Sequence, residues 1–187
     1  MDNYTFQLTH DEDVENPRDF SDMNVSTFCL FHNRYALPNE AGLRHQDYKS
    51  WGQVAAKLQR MGAVVILPVY GYDHSGLFMS VKVERDWWHY SWDGGMLGFI
   101  VVMGDRAREV MGWKQITAKR RAMLIEQCKA ELSTYDQWQR GETYYVTILD
   151  QDGNEVESYG GLIGRQDAIE NVQSEYPGAV EISEYEY

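Results

Sequence analysis

Two short polar stretches, Tyr72-Asp73-His74-Ser75-Gly76 and Ser91-Trp92-Asp93-Gly94-Gly95, carry most of the residue types that could do chemistry. Asp, His and Ser are the components of acyl-transfer triads. Three neighbours in sequence cannot form one, because the carboxylate must orient the far side of the imidazole. The nucleophile elbow G-x-S-x-G is absent, since Asp73 occupies the place of its first glycine. Gly71 and Gly76 have the spacing of a phosphate loop, but Leu77-Phe78 replaces the Lys-Ser/Thr pair that would hold phosphate and magnesium. One arrangement survives. Strand ends on one side of a sheet converge, so Asp73 and His74, with Ser75 beside them, can meet Asp93. Such a set would hold a divalent metal or form an acid–base pair in a small enzyme or ligand-binding protein. The alternative use of these residues is local: Asp73 and Ser75 serve the backbone of their own turn.

Other motifs give less. Trp87-Trp88-His89-Tyr90-Ser91-Trp92 is a dense aromatic run, suited to a partner's pocket through Trp87 and Trp88 or to a lid over a core. Cys29-x-x-His32 is half of a zinc spacing with no second Cys/His pair after it. The acidic stretch 11–22 does not follow a calcium-loop pattern, and DQDGNE at 150–155 has its glycine at the fourth place, so it reads as a turn. No metal and no cofactor are expected.

The elements that must position these residues follow from periodicity. Tyr4–Leu8 and Val25–Phe31 alternate as strands. Asp47 is placed to cap a helix running to about Met61, with Trp51, Val54, Ala55 and Leu58 on one face and Gly62 as its stop. VVILPVY reads as a buried central strand, with Pro68 at an edge position or bulge. LFMSVKV and GMLGFIVVM follow as strands. A helical turn covers Gly104–Met111. The longest helix runs from a Thr117 cap to about Arg140, its apolar face formed by Leu124, Cys128, Leu132 and Tyr135 with Met123 and Ile125. Lys119, Arg120 and Arg121 fall on its first turn, the end that the helix dipole disfavours for cations. A hairpin turning at Asp152-Gly153, a short helix over 166–176 and a last strand or acidic tail complete the chain. The expected class is α+β: a mainly antiparallel sheet packed against one long helix and one or two shorter ones. The expected divisions are an acidic N-terminal segment (1–22), an α+β core (23–140) and an acidic hairpin–helix–strand subdomain (141–187) packed on that core.

With 187 residues and 43% hydrophobic content, the chain can bury a real core and is not disordered by composition. Its net charge of −12 is unevenly spread. Residues 1–22 hold seven acids against Arg18, and residues 141–187 hold eleven against Arg165; the middle is mildly basic. An anionic surface keeps a chain in solution, repels nucleic acid and attracts basic partners. Asp11, Glu12, Asp13, Glu15, Glu155, Glu157, Glu181, Glu184 and Glu186 are the candidate contacts for such a partner. Two cysteines do not make a disulfide framework, and the opening MDNYTFQLTHDED is unlike a secretory leader, so a reducing cytoplasm is expected. The longest apolar run is far short of the roughly 20 residues a membrane helix needs.

FHNRY, LPVYGYDHSG, WDGG followed by LGFI, and STYDQWQRGETYYV together resemble an uncharacterised family of small proteins encoded by bacteriophages and mobile elements. There the corresponding stretches look like LYLYDHSG, WDSGQVGFIYV and VETYDQYLTGDVYGY. The resemblance covers residues 28 to 165, and Gly94 stands where many members have Ser. It implies a non-enzymatic accessory protein of the host cytoplasm. Such a protein would bind and inhibit a basic host defence or nucleic-acid-processing protein, as anti-restriction or anti-CRISPR proteins do, with a DNA mimic as one form. No direct nucleic-acid contact and no membrane contact are expected.

Overall fold

The computed structural model describes residues 4–19, 22, 24–87 and 90–182; Trp88, Glu184 and Glu186 lie outside them. The chain is α+β, with two four-stranded, mostly antiparallel sheets in place of the single one expected. It divides into a terminal unit, residues 1–19 and 134–187, and a central unit, residues 20–133. The N-terminal segment is therefore no separate arm: it shares a unit with the C-terminal hairpin, more than 120 residues away in sequence.

The central unit contains β2 (Thr27–Leu30), α1 (Trp51–Arg60), β3 (Ala63–Asp73), β4 (Leu77–Ser80), α2 (Tyr90–Asp93), β5 (Gly94–Met103) and α3 (Gly104–Met111), in the sheet order β2-β5-β3-β4. It follows β1 (Thr5–His10) of the terminal unit in the chain. The strand buried on both faces is β5, whose residues Leu97 to Val102 are all buried. Pro68 sits where β3 has β5 on one side but has not yet met β4, so its missing N–H leaves no gap between two ladders. Helix α1 starts later than expected. Its cap is Ser50, whose hydroxyl accepts from Gln53 N, while Asp47 ends a 3-10 turn, His45–Asp47. Val54 and Leu58 of α1 pack with Cys29, Leu43, Phe99 and Val101 into one cluster. Burial pushes the Cys29 thiol up to about 11, leaving it an inert core group.

Helix α4 (Ala118–Gln139) crosses the boundary between the units. Thr117 caps it as expected, accepting from Arg120 N. Leu124, Cys128, Leu132 and Tyr135 are buried, whereas Met123 is half exposed and does not join that face. Arg120 turns back to the Gln115 carbonyl and lies over the Trp113 ring, which places its charge near the helix start.

In the terminal unit the order is β7-β6-β1-β8, with β6 at Thr143–Leu149, β7 at Glu155–Ile163 and β8 at Val180–Glu181. Helix α5 (Arg165–Glu175) supplies Val172 to a core with Phe6, Val146 and Ile148. Fully burying such side chains stabilises by about 1.5–3 kcal/mol each. The hairpin turn is built as read: Asp150 accepts from the backbone of Asp152 and Asn154, and those bonds, Asn154 first, hold its carboxyl below the usual range.

Glu157 and Glu181 lie in the same cross-strand row as the buried Phe6 and Ile148. They therefore reach toward α5 and its end: Glu157 accepts from the Tyr176 hydroxyl at 2.6 Å, and Glu181 takes Arg165. The hydrogen bond to Glu157, followed by burial, raises the Tyr176 phenol from 10.0 to about 12. A phenol raised on folding stabilises the fold fully below pH 10 and loses that contribution as pH climbs to about 12. The urea midpoint of the protein should therefore fall over this range, and Tyr176→Phe should flatten the fall. An unchanged alkaline slope in the variant would refute the coupling.

Candidate functional site

Sheet order explains which residues meet in the central unit. β5 runs antiparallel to both β2 and β3, so the C-terminal ends of β2 and β3 lie beside the N-terminal end of β5. The loop after β2, the β3–β4 turn and the α2–β5 junction therefore gather at one sheet end. A bulge between Val69 and Tyr70 sets the final register and pairs Tyr72 with Gly94. Asp93 is thereby carried alongside the turn that holds His74.

The two loops do meet. His74 Nδ1 lies 3.4 Å from Asp93 Oδ2, just beyond ordinary hydrogen-bond length. The His74 ring stacks on Tyr72, which stacks in turn on Trp87. Asp73 does not join this pair. Its two oxygens accept from the Tyr35 hydroxyl at 2.9 Å and from Arg34 Nη1 at 2.8 Å. The bond to Asp73, followed by burial, raises the Tyr35 phenol above its ordinary range. Asp73, His74 and Asp93 therefore do not converge on one point, and among the described residues no three His, Cys, Asp or Glu side chains form a metal-sized group. Ser75 takes a left-handed φ of 62° inside the tight turn, the local role open to it from its sequence position. His32 is likewise a turn residue: its Nδ1 accepts from the backbone of Arg34 and Tyr35.

Asp73 and Asp93 border a cleft of about 1150 Å³ within the central unit. One wall carries Phe31, His45 and Trp51, where Phe31 meets His45 at 5.5 Å and His45 meets Trp51 at 4.5 Å; behind it Trp51 meets the core ring of Phe99 edge-on at 6.1 Å. Gly94 and Gly95 line the cleft at the start of β5, and a Cβ on Gly95 would meet nothing within 4 Å. At the rim Trp92 is 87% exposed. Sequence reasoning chose other rings as partner contacts. Trp87 is buried and stacks on Tyr72, whereas Trp92 of the same run is exposed. Arg34, Tyr35 and His45 also line the cleft; Arg34 and Tyr35 follow β2, which ends at this side of the sheet, while His45 sits in the 3-10 turn before α1, where no sequence signal marks it for the site.

The acidic candidates of the terminal unit lie at opposite ends of its sheet. Asp11 follows β1 where β1 pairs with the start of β6, and accepts from Gly161 N and Asp13 N. Glu155 is opposite Leu149, which pairs with Thr5. The length of β1 separates these ends by roughly 17 Å. Glu12, Asp13, Glu15 and Glu155 are exposed, with Glu155 accepting from Ser158, while Glu181 is ion-paired.

No family model, no curated protein and no solved structure matches this chain. No helix among the described residues is long and apolar enough to cross a membrane.

Proposed function

We propose that the central unit binds a small polar ligand in the cleft between the YDHSG turn, the SWDGG junction and the loop after β2. The observation that carries this reading is the meeting of His74 with Asp93 at 3.4 Å, 19 positions apart in sequence, where Asp93 borders an aromatic-walled cleft. Concave sites with apolar walls and a few convergent polar groups are where small molecules bind. His74 and Asp93 also make a general acid–base pair available, so a small enzyme is the catalytic form of the same proposal.

A second reading is favoured by charge. The terminal unit holds 18 of the 29 acids against Arg18, Arg140 and Arg165, a net −15, while the central unit is +3. Such a unit attracts a cationic macromolecule by long-range field. This supports the accessory protein of phage type that inhibits a basic host protein in the host cytoplasm. The separation of its acids to two sheet ends, and the use of Glu157 and Glu181 toward α5, argue against one continuous anionic face. Ligand binding in the cleft is therefore the preferred function.

One titration separates the two. The ¹⁵N-labelled full chain is exposed to mono- and disaccharides, nucleosides, mononucleotides, amino acids and a polylysine peptide. The expected result is that a small molecule shifts the Trp92 indole and the Gly94 and Gly95 amides, and that Gly95→Leu, which fills open cleft space, removes the effect. Shifts confined to residues 11–15 and 155–157 with polylysine, and none in the cleft, would overturn the preferred reading in favour of the second.

A further inference from the structure

We infer that the cleft takes a neutral oligosaccharide and that Trp92 is its stacking platform; this rests on the reading of the cleft as a ligand site. Trp92 is 87% exposed at the cleft rim, although an indole exposed to water gives up a large apolar contact area. A flat ring presented at the mouth of a cleft suits a ligand with a flat apolar face. Planar bases and the C–H faces of pyranose rings both qualify, so the charges must decide between them.

The ionic groups lining the cleft balance: Arg34 and Arg44 against Asp73 and Asp93. Each has a partner within the protein, Arg34 with Asp73, Arg44 with Asp47 and Asp93 with His74. Among the described residues that line the cleft, no surplus cation is left to meet a phosphate. The planar Arg34–Asp73 pair instead offers donors and acceptors side by side. Neighbouring sugar hydroxyls, each both donor and acceptor, match such a pair without requiring net charge. The volume of about 1150 Å³ exceeds the roughly 300–1,000 Å³ of pockets for single drug-sized molecules, so several linked sugars fit better than one.

The test uses the full chain and its Trp92→Ala and Trp92→Phe variants, each checked by circular dichroism for an unchanged fold. Cellotetraose, maltotetraose, chitotetraose and mannotetraose are titrated by calorimetry and tryptophan fluorescence, with AMP and a dinucleotide as anionic comparators. One of the four sugars should bind, affinity should fall about tenfold or more in Trp92→Ala, and Trp92→Phe should recover most of it. Sugar binding that is equal in Trp92→Ala would overturn the platform assignment. Binding of AMP or the dinucleotide with no sugar would overturn the ligand class while leaving a cleft that binds small molecules. Binding of none of these probes, together with a cleft silent to every small molecule in the ¹⁵N titration, would remove the ligand-site reading itself.

Discussion

Gly98→Ala should abolish cooperative folding of the central unit, a loss above about 4 kcal/mol. Gly98 holds φ at +146°, a conformation that side chains rarely adopt. Its backbone is also hemmed in. It pairs with Leu30 on one side and Val69 on the other, at the bulge that resets the β3–β5 register. A Cβ there would drive into the carbonyl oxygen of Cys29, well inside the 3.0 Å limit of real contacts. That oxygen is backbone on β2, held by the ladder to β5, so it cannot swing away as a side chain would. The same bulge brings Asp93 level with the β3–β4 turn, so any variant that folds by shifting register should separate Asp93 from His74. Urea denaturation followed by far-ultraviolet circular dichroism checks this. A variant with the wild-type midpoint would show that the strand can slide at no cost.

Glu131→Ala should destabilise the same unit by about 3 kcal/mol or more. Glu131 is a buried carboxylate on α4, with one oxygen accepting from Val25 N at 3.0 Å and the other from Ser26 N at 3.1 Å and from the Ser26 hydroxyl. Gln127 also donates to it. Val25 and Ser26 are themselves buried, so deleting the carboxylate strands two backbone N–H groups away from water. Glu131→Gln keeps one acceptor oxygen and should lose less. The contact anchors the approach to β2, whose far end leads into the loop of Arg34 and Tyr35. Thermal and urea unfolding of both variants provide the measurement. A loss below about 1 kcal/mol in Glu131→Ala would mean that solvent reaches those amides.

Much of the local structure was legible because it depends on neighbours. Thr117 at the start of α4 and Gly153 in its turn act within a few residues, and the buried spacing of Leu124, Cys128, Leu132 and Tyr135 is a property of one helix. Asp47 and Ser50 are both good cap residues, and the sequence does not choose between them; in the fold Asp47 closes its own turn, with its N–H on the Arg44 carbonyl and its carboxylate on the Arg44 side chain. Met123 is as apolar as its buried neighbours on α4 yet stands half exposed, because hydropathy does not say which side of a helix a neighbour will cover.

The site was legible only in part. That His74 and Asp93 could meet followed from both loops ending strands of one sheet, and they do lie 3.4 Å apart. That Asp73 would turn instead to Arg34 and Tyr35 did not follow, because the competing partners lie 39 and 38 positions away and nothing in either segment marks them as neighbours.

By itself the sequence determined the α+β class, the runs that become strands and helices, and the strongly acidic ends, since these depend on composition and short-range periodicity. Tertiary structure alone decided that both ends pair into one sheet, that Trp87 is covered while Trp92 stands open, and that Asp73 leaves His74 for Arg34. Those outcomes depend on which distant strands share a ladder, and that choice is made by burial and hydrogen bonding across the whole unit.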